Sequence, residues 1–416
     1  MDRATAAEMD RVDPLAPFRS PFDIDDAGPV YMDGNSLGRP PRSVLDALRA
    51  GAEEWARRLV GGWESWIDLP AAVGDRLGSL LGAGPGQVLV CDSTTVNLYK
   101  LAAAALAARP GRDVIVGDGA DFPTDRYVLE GLAAATGRSL VLVPGGENGD
   151  EDVDARRQAI EAAIDDRCAL VCLSHVNFRS GARMDGAALT ATAHDRGALV
   201  LWDLAHSAGS VPVALDRWDA DMAVGCTYKY LNAGPGAPGF LYVNRRLQDR
   251  LRQPIWGWFG RARQFDMAPG YEPAAGATSF LTGTPPVLGL LAVDASVALM
   301  AEAGLDRLWD KSQKLTAMLV ELVEEQLVPL GARLASPRRP AQRGAHVSVA
   351  HPRAWPWCRT LVDRGLVVPD FRTPDVIRLG PAPLYTRYTD CFDAVERMAA
   401  TMAAGLDPVP DDPRVT

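Results

Sequence analysis

Short apolar runs alternate with Ala- and Leu-rich stretches of helical periodicity through the middle of the chain. Seven runs have the length and composition of buried strands, and they cover residues 87–91, 113–116, 139–143, 169–174, 198–203, 222–226 and 239–243. Strands that alternate with helices in this way form a mostly parallel sheet with helices on both faces. The pattern therefore predicts an α/β fold around a mostly parallel, seven-stranded sheet.

The rest of the chain divides into an N-terminal and a C-terminal part. Residues 1–55 are predicted to form an arm and a helix that join a small domain, and residues 56–295 the large domain. A Thr-Pro-Pro sequence at 284–286 opens a long helical segment that ends near residue 326. Residues 296–416 are predicted to form a smaller α+β domain, whose last residues, 408–416, form a frayed tail.

Composition argues against several classes of protein. A net charge of −10 disfavours a surface for nucleic acid or anionic lipid. The N-terminus has no signal-peptide core, and no window reaches the ~18 apolar residues that a membrane span needs. The six cysteines lack paired CxxC spacing and predict reduced, buried thiols in a cytoplasmic protein. With five histidines and no second ligand pair, a metal site is not expected.

An aspartate and a lysine stand at the ends of two predicted strands. Asp203 ends one strand and Lys229 lies just past the next, at the sheet edge where α/β proteins hold ligands. A carboxylate that keeps a pyridine nitrogen protonated and a lysine that forms a Schiff base are the minimum apparatus of pyridoxal 5′-phosphate chemistry. Alone, Asp203 could be a helix N-cap, Lys229 a surface lysine, and His206 a core histidine, a partner of Asp203 or a cofactor contact. Their spacing favours a pyridoxal-phosphate enzyme.

Further segments are candidates for contact with such a cofactor. Thr94 and Thr95 open a helix, where N–H groups and hydroxyls bind phosphate, although an ordinary Ser/Thr cap fits the segment equally well. Phe122 is a candidate to stack on the pyridine ring or to pack locally, and Ser174 ends a strand with a hydroxyl. The cluster IWGWFG at 255–260 indicates a core, an interface, or a binding site for an aromatic substrate or the cofactor phosphate.

Arg378 lies inside an apolar run of the C-terminal part. A strand arginine usually points to solvent, but apolar neighbours on both sides favour a buried guanidinium here. Because a guanidinium matches the geometry of a carboxylate, Arg378 is the predicted anchor for the α-carboxylate of an amino-acid substrate.

Taken together, these segments resemble the kynureninase family, within the fold-type I, class V aminotransferase-like group of pyridoxal-phosphate enzymes. The similar stretches follow in family order and span most of the chain: YMDGNSLG (31–38), TTVN (94–97), FPTD (122–125), WDLAHSAG (202–209), TYKYLNAG (227–234), GWFG (257–260), TPP (284–286) and RLGPAPLY (378–385). The Asp…Lys pair is common to the superfamily, whereas the GNSLG turn, the Trp-Phe pair and the Arg-to-Tyr ending point specifically to kynureninase.

The resemblance implies a homodimer with an active site at each subunit interface. The implied cofactor contacts are Thr94, Thr95, Phe122, Asp125, Ser174, Asp203, His206, Tyr228, Lys229, Trp258 and Thr284, the last supplied by the partner chain. The implied substrate contacts are Arg378, Ser36, Trp63 and Phe259. The implied catalytic residues are Lys229, Tyr228 and Asp203.

The implied reaction is hydrolysis of the Cβ–Cγ bond of L-kynurenine or 3-hydroxykynurenine. Its products are anthranilate or 3-hydroxyanthranilate and L-alanine, within tryptophan catabolism or NAD biosynthesis. Trp63, Thr284 and Arg179 resemble the bacterial pattern of the family, which favours kynurenine over its 3-hydroxy form.

Three other interpretations of the function remain open at this point. A cysteine desulfurase or related β-lyase needs a nucleophilic cysteine on a mobile loop near the small domain, and neither Cys358 nor Cys391 fits that place well. A class V aminotransferase would require a 2-oxo acid. A non-catalytic binding protein on the same scaffold would have no need of Lys229, Asp203 and Arg378 together.

Overall fold

The N-terminal part of the chain reaches across to the C-terminal part. The structure, a computed structural model, describes residues 1–145 and 152–407, so the predicted tail at 408–416 lies outside the described residues. The N-terminal elements are α1 (Arg3–Arg11), β1 (Val30–Tyr31), α2 (Arg42–Arg58) and α3 (Trp63–Trp66). Strand β1 pairs in parallel with residues 367–368. This pairing supports the predicted arm that joins the small domain, while the domain limits themselves stay a prediction.

Seven strands form the central sheet at the positions that the apolar runs predict. They are β2 (Val88–Val90), β3 (Val114–Asp118), β4 (Ser139–Val143), β5 (Cys168–Ser174), β6 (Leu199–Asp203), β7 (Met222–Gly225) and β8 (Phe240–Val243). Their order is β2-β8-β7-β6-β5-β3-β4. Strand β8 runs antiparallel to β2 and β7, and the other neighbouring pairs are parallel. The predicted α/β fold with a mostly parallel seven-stranded sheet is confirmed.

Helices on both faces bury this sheet. They include α4 (Leu69–Leu80), α5 (Thr94–Ala107), α6 (Pro123–Thr136), α7 (Val153–Ala163) and α8 (Gly186–Asp195). Neighbouring residues of β5 such as Leu170 and Val171 enter separate apolar clusters, because successive side chains point to opposite faces. Strands that are buried on both faces require continuous apolar runs, which explains why the sequence pattern identifies them.

Two helices follow the central sheet where the sequence predicts one long helical segment. Helix α9 (Val287–Ala303) and helix α10 (Leu305–Leu322) meet at Gly304 with a bend of 80°. Gly304 has a φ of +82°, which glycine adopts without the steric cost that other residues incur. Helical structure then continues through a π turn at Val323–Leu327, so the predicted end near residue 326 is reached after a sharp change of direction.

The small domain is built around an antiparallel sheet. Its elements are β9 (Arg333–Leu334), β10 (Val347–Ala350), α11 (Ala354–Asp363), β11 (Val367–Val368), β12 (Asp370–Arg372), β13 (Val376–Leu379) and α12 (Tyr388–Ala404). Strands β12, β13, β10 and β9 are neighbours in that order, and Asp370 lies directly opposite Arg378 in the register of β12 and β13.

The carboxyl ends of the central strands meet the small domain at one edge of the sheet. Ser174 ends β5, Asp203 ends β6, and Lys229 follows β7 after three residues. In open α/β sheets this edge holds ligands. Within residues 1–145 and 152–407 no single helix is long and apolar enough to cross a membrane, although α9 and the helical stretch after it pass that test as a bent pair.

Candidate active site

A cavity of about 310 Å³ opens at this edge of the sheet. It brings together eleven of the predicted site residues: Ser36, Thr94, Thr95, Phe122, Asp125, Ser174, Asp203, His206, Tyr228, Lys229 and Arg378. The side chains that sequence reasoning missed are Thr124, Val176, Phe178, Ala205 and Arg372. The cavity therefore joins the large domain, the small domain and the turn at residues 33–38.

Lys229 is held on a tight loop after β7. Its Nζ lies 3.0 Å from Nε2 of His206. Burial, followed by the positive charge of Lys229, lowers the pKa of His206 well below its ordinary value, so the ring is neutral and its Nε2 can accept a hydrogen bond from the lysine. Nδ1 of His206 has no hydrogen-bond partner among the described residues. The lysine amine is thus positioned by a buried neutral base.

The turn at residues 33–38 rests against the backbone of this lysine loop. The N–H of Gly38 donates to the carbonyl of Tyr228 at 2.8 Å. A Cβ at Gly38 would lie 2.3 Å from the carbonyl oxygen of Lys229 and 2.2 Å from Oδ1 of Asn232. Such distances are impossible without moving the loop, so the last glycine of the GNSLG motif is required by this close approach.

Two buried carboxyl groups, those of Asp125 and Asp203, line the same cavity as Lys229. Oδ1 of Asp203 accepts a hydrogen bond from the N–H of Ala205 at 2.7 Å. Burial and then the charge of Asp203 raise the pKa of Asp125 well above its ordinary value. Burial also raises the pKa of Asp203, while Lys229 and the hydrogen bonds from Ala205 and Asp125 oppose that increase. Asp125 therefore keeps its proton and donates to Asp203, which stays an acceptor for a cationic group.

The start of helix α5 forms one corner of the cavity. Ser93, not Thr94 or Thr95, is the N-cap, and its hydroxyl accepts from the N–H of Val96. Both threonine side chains consequently line the cavity instead of capping the helix. Gly239 packs so closely that a Cβ there would lie 3.0 Å from the nitrogen of Thr94. N–H groups and hydroxyls at a helix N-terminus suit a phosphate group.

An aromatic wall and a strand-end hydroxyl complete the large-domain side. Phe122 precedes helix α6, lines the cavity and is 42% exposed, with its ring edge-to-face against Phe178 at 5.2 Å. That exposure favours a ring that a ligand covers over a ring that packs only locally. Ser174 donates its backbone N–H to Oδ2 of Asp121 at 3.0 Å, and its side chain faces the cavity. Both cofactor contacts stay predictions.

The small domain contributes a buried guanidinium. Arg378 is 1% exposed, forms an ion pair with Asp370 and donates to the carbonyl of Phe178 at 2.6 Å and to Oγ of Ser36 at 3.2 Å. Burial lowers the pKa of Arg378 to about 10, so it remains a cation at neutral pH. Arg372 lies 2.9 Å from the same carboxylate and also donates to Ser36, at 3.2 Å. The predicted carboxylate anchor is therefore one of two guanidinium groups.

Four predicted residues are not brought to this cavity within one chain. The rings of Trp63 and Phe259 lie 6.3 Å apart, and Trp258 contacts Phe259 at 4.5 Å. Trp63 and Thr284 line a separate apolar cavity of about 390 Å³ beside α2 and the start of α9. Their roles as cofactor or substrate contacts stay predictions.

A lysine next to a buried acid pair, a helix N-terminus with two threonines and an aromatic wall, on this sheet, define a pyridoxal 5′-phosphate enzyme of fold type I. The unpartnered buried atoms Nδ1 of His206 and Oδ2 of Asp125 mark where polar groups of such a cofactor fit. The chain belongs to the kynureninase family.

Sequence and structure comparisons carry that assignment. The chain is 44% identical to kynureninase of Pseudomonas fluorescens over 397 residues, which cover 93% of this chain and 92% of that protein. It is 41% identical to kynureninase of Burkholderia pseudomallei over 405 residues, 95% of this chain and 94% of that protein. A model of the kynureninase C-terminal domain matches residues 308–398. A cysteine desulfurase from Thermococcus onnurineus NA1 shares the fold, with a TM-score of 0.79 at 20% identity over 94% of this chain and 98% of that chain.

The cysteines separate this site from desulfurase chemistry. All six are buried free thiols, and none of them lines the cavity around Lys229. Cys358 lies within helix α11 and Cys391 within helix α12, and burial raises the pKa of the Cys358 thiol to about 12. A thiol that is buried and protonated is a poor nucleophile.

Proposed function

We infer that this enzyme hydrolyses the Cβ–Cγ bond of L-kynurenine, releasing anthranilate and L-alanine. The observation that carries the inference is one cavity where a lysine amine, a buried carboxylate and an arginine meet, in a chain of the kynureninase family. One water is added across the broken bond. Its hydroxyl becomes part of the aromatic carboxylate, and its proton ends on the alanine methyl group.

Pyridoxal 5′-phosphate, when bound, supplies an aldehyde for the substrate amine and a ring that stores the electrons released at Cα. Asp203 offers the buried carboxylate that a protonated ring nitrogen requires, and Asp125 keeps it in place. Thr94 and Thr95 offer hydroxyls for the phosphate, while Phe122 offers a ring face. Each of these residues orients the reacting atoms without taking part in bond breaking.

Lys229 is the group that moves the Cα proton. Its amine lines the cavity, and His206, whose Nε2 lies 3.0 Å from Nζ, can accept a hydrogen bond from it. A neutral amine is a base and an ammonium is an acid, so one side chain can remove the proton from Cα and return it at a neighbouring carbon.

Tyr228 is the proton donor and acceptor for the attack of water on the side-chain ketone. The nearby thiol of Cys226 and then burial raise the pKa of the Tyr228 phenol, so the free enzyme holds it protonated. A protonated phenol donates to the ketone oxygen and increases its reactivity toward water. Tyr228 lines the cavity directly beside Lys229, which fits this role.

The experiment is product analysis with holoenzyme in ¹⁸O-labelled water. L-kynurenine is expected to give equimolar anthranilate and alanine, with one ¹⁸O atom in the anthranilate carboxylate. If turnover requires a 2-oxo acid, the protein is an aminotransferase. If it releases sulfide from cysteine, it is a desulfurase. If it turns over neither L-kynurenine nor cysteine, it is a binding protein. Turnover rates measured with 3-hydroxykynurenine under the same conditions test the predicted preference for L-kynurenine, whose ring is unsubstituted.

A matched substrate tests the anchor at Arg378. Kynurenine α-carboxamide keeps the ketone and the amine but lacks the charge that the two guanidinium groups face. We expect its kcat/KM to be at least about tenfold lower, since charge-assisted hydrogen bonds are stronger than neutral ones. In Arg378→Gln this preference is expected to shrink; an undiminished preference would assign the carboxylate to another residue.

We also propose that the enzyme is a homodimer, as the family resemblance implies. An exposed apolar patch supports this, with Trp55 60%, Leu59 63% and Val60 81% exposed beside the cavity of Trp63 and Thr284. Contiguous apolar surface of this kind marks protein interfaces. The buried free thiols support the predicted cytoplasmic location.

Sedimentation is expected to give twice the chain mass of 44.5 kDa. Val60→Glu is expected to shift the protein toward monomer and to lower turnover, because Thr284 would no longer reach a partner's site. Val328→Glu, at a position that is 41% exposed in the small domain, is the control and should remain dimeric. A fully active monomer would contradict the shared site.

A further inference from the structure

A second cavity lies behind the active site, on the other side of the ends of β5 and β6. Its volume is about 680 Å³, within the range of small-molecule sites. We name it the arginine cavity, after Arg157, Arg183 and Arg217 in its lining. The side chain of Trp218 forms an aromatic part of the wall. No residue of this lining takes part in the reaction described above.

The charges in the arginine cavity favour an anion. Arg183 is half-buried and donates only to the carbonyl of Ala341, at 2.6 Å from Nη2, and Arg217 has no ion pair with any residue that the structure describes. The lining contains two acidic residues against these three arginines. Asp154 lies 3.6 Å from Arg339 and accepts from Gln342 at 3.0 Å, and Asp185 caps helix α8 and interacts with Arg183.

A buried histidine supplies a further donor. His175 is 1% exposed and lines the arginine cavity. Its Nδ1 lies 2.8 Å from the hydroxyl of Ser207, and its Nε2 has no partner in the described part of the chain. Burial lowers the pKa of His175 to about 3, so the ring is neutral and carries one proton. When the Ser207 hydroxyl donates to Nδ1, that proton sits on Nε2, where it can donate to a ligand.

We propose that the arginine cavity binds a small aromatic carboxylate, whose charge pairs with Arg183 and Arg217 and whose ring lies against Trp218. Guanidinium groups match carboxylates in geometry and charge. An indole wall provides stacking for a flat ring, and the ring of His175 supports that wall at 4.9 Å. The aromatic product of the proposed reaction belongs to this class; its identity as the natural ligand rests on the proposed function, whereas the binding site does not.

Adjacent residues connect the arginine cavity with the active site. Ser174 faces the active-site cavity and His175, the next residue, faces the arginine cavity. His206 contacts Lys229, and Ser207, the next residue, contacts His175. A ligand that moves the His175 ring therefore also moves the segment that orients the lysine amine. The expected consequence is a change in kcat at saturating substrate.

Binding is tested first, without any assay of turnover. Crystals of the holoenzyme are soaked with 4-bromobenzoate, and bromine is located by anomalous scattering. We expect a peak in the arginine cavity beside Trp218, absent in Arg217→Gln. A peak confined to the active-site cavity, or no peak, overturns the proposal. Retained binding in both Arg183→Gln and Arg217→Gln overturns the assignment of the carboxylate.

Kinetics then test the connection. Benzoate at saturating L-kynurenine is expected to change kcat at least twofold, with a half-saturating concentration at least about tenfold higher in Arg217→Gln and Arg183→Gln. Arg250→Gln, on an exposed loop outside both cavities, should behave as the parent enzyme. Inorganic phosphate and cyclohexanecarboxylate should act far more weakly, and equal potency would overturn the aromatic requirement. Bromine density without turnover of kynurenine would refute the proposed function and leave the binding site standing.

Discussion

Replacing Lys229 with alanine is expected to lower turnover of L-kynurenine by at least about 10⁴-fold. The chain has four lysines, and the other three hold different positions. Lys100 is buried against Asp92, Lys311 is buried against Asp13, and Lys314 lies on the exposed face of α10. No second amine of the described chain can therefore replace Lys229 in the cavity.

Two measurements check this expectation. The parent holoenzyme should absorb visible light and, after borohydride reduction, carry the cofactor on the peptide that contains residue 229. The Lys229→Ala protein should show neither property, while Lys314→Ala should match the parent in both. If the parent enzyme is labelled on residue 229 but the Lys229→Ala variant keeps its turnover, cofactor attachment and catalysis are separate, and the proposed proton transfer by Lys229 is refuted.

Asp203→Asn is expected to lower kcat by about 10² to 10⁴-fold with little change in thermal stability. The amide has the shape of the carboxylate and can still accept from the N–H of Ala205, but it lacks the charge that a protonated ring nitrogen requires. Because Asp125 holds its proton and donates to this position, the amide oxygen of the variant can also accept that hydrogen bond.

The readouts are kcat, the cofactor spectrum and the temperature of unfolding. Asp203→Glu should recover part of the rate, because it restores the charge at a displaced position. Asp249→Asn, at an exposed position, removes the same charge elsewhere and should leave kcat unchanged. Normal turnover in Asp203→Asn would end the proposed role of this carboxylate.

The sequence predicts the parts of the fold that depend on local pattern. Strands such as β5 and β6 are buried on both faces, so their apolar runs and their polar last residues, Ser174 and Asp203, are readable. The bend between helices α9 and α10 at Gly304 cannot be predicted in the same way. The apolar periodicity of α9 continues toward α10, and a glycine within it is compatible with either a kinked or a continuous helix.

Sites that combine residues from distant parts of the sequence are harder to predict. Arg372 could not be assigned from the sequence because the segment Asp-Phe-Arg at 370–372 does not show which strand it pairs with, whereas the β12–β13 register places Asp370 opposite Arg378. The alternation of charges at positions 370 and 372 was the available signal, since residues two apart share one strand face. Trp63, Trp258, Phe259 and Thr284 could be connected with the site only through the family resemblance.

The contact of Gly38 with the backbone of Tyr228 has a mechanical consequence. The turn that carries Gly38 also carries Ser36, which accepts hydrogen bonds from Arg372 and Arg378 of the small domain. A hinge motion of that domain cannot pull the turn outward without breaking the bond from the Gly38 amide to the loop of the reactive amine. Displacement of the small domain and displacement of the loop that carries Lys229 are therefore mechanically coupled through this turn.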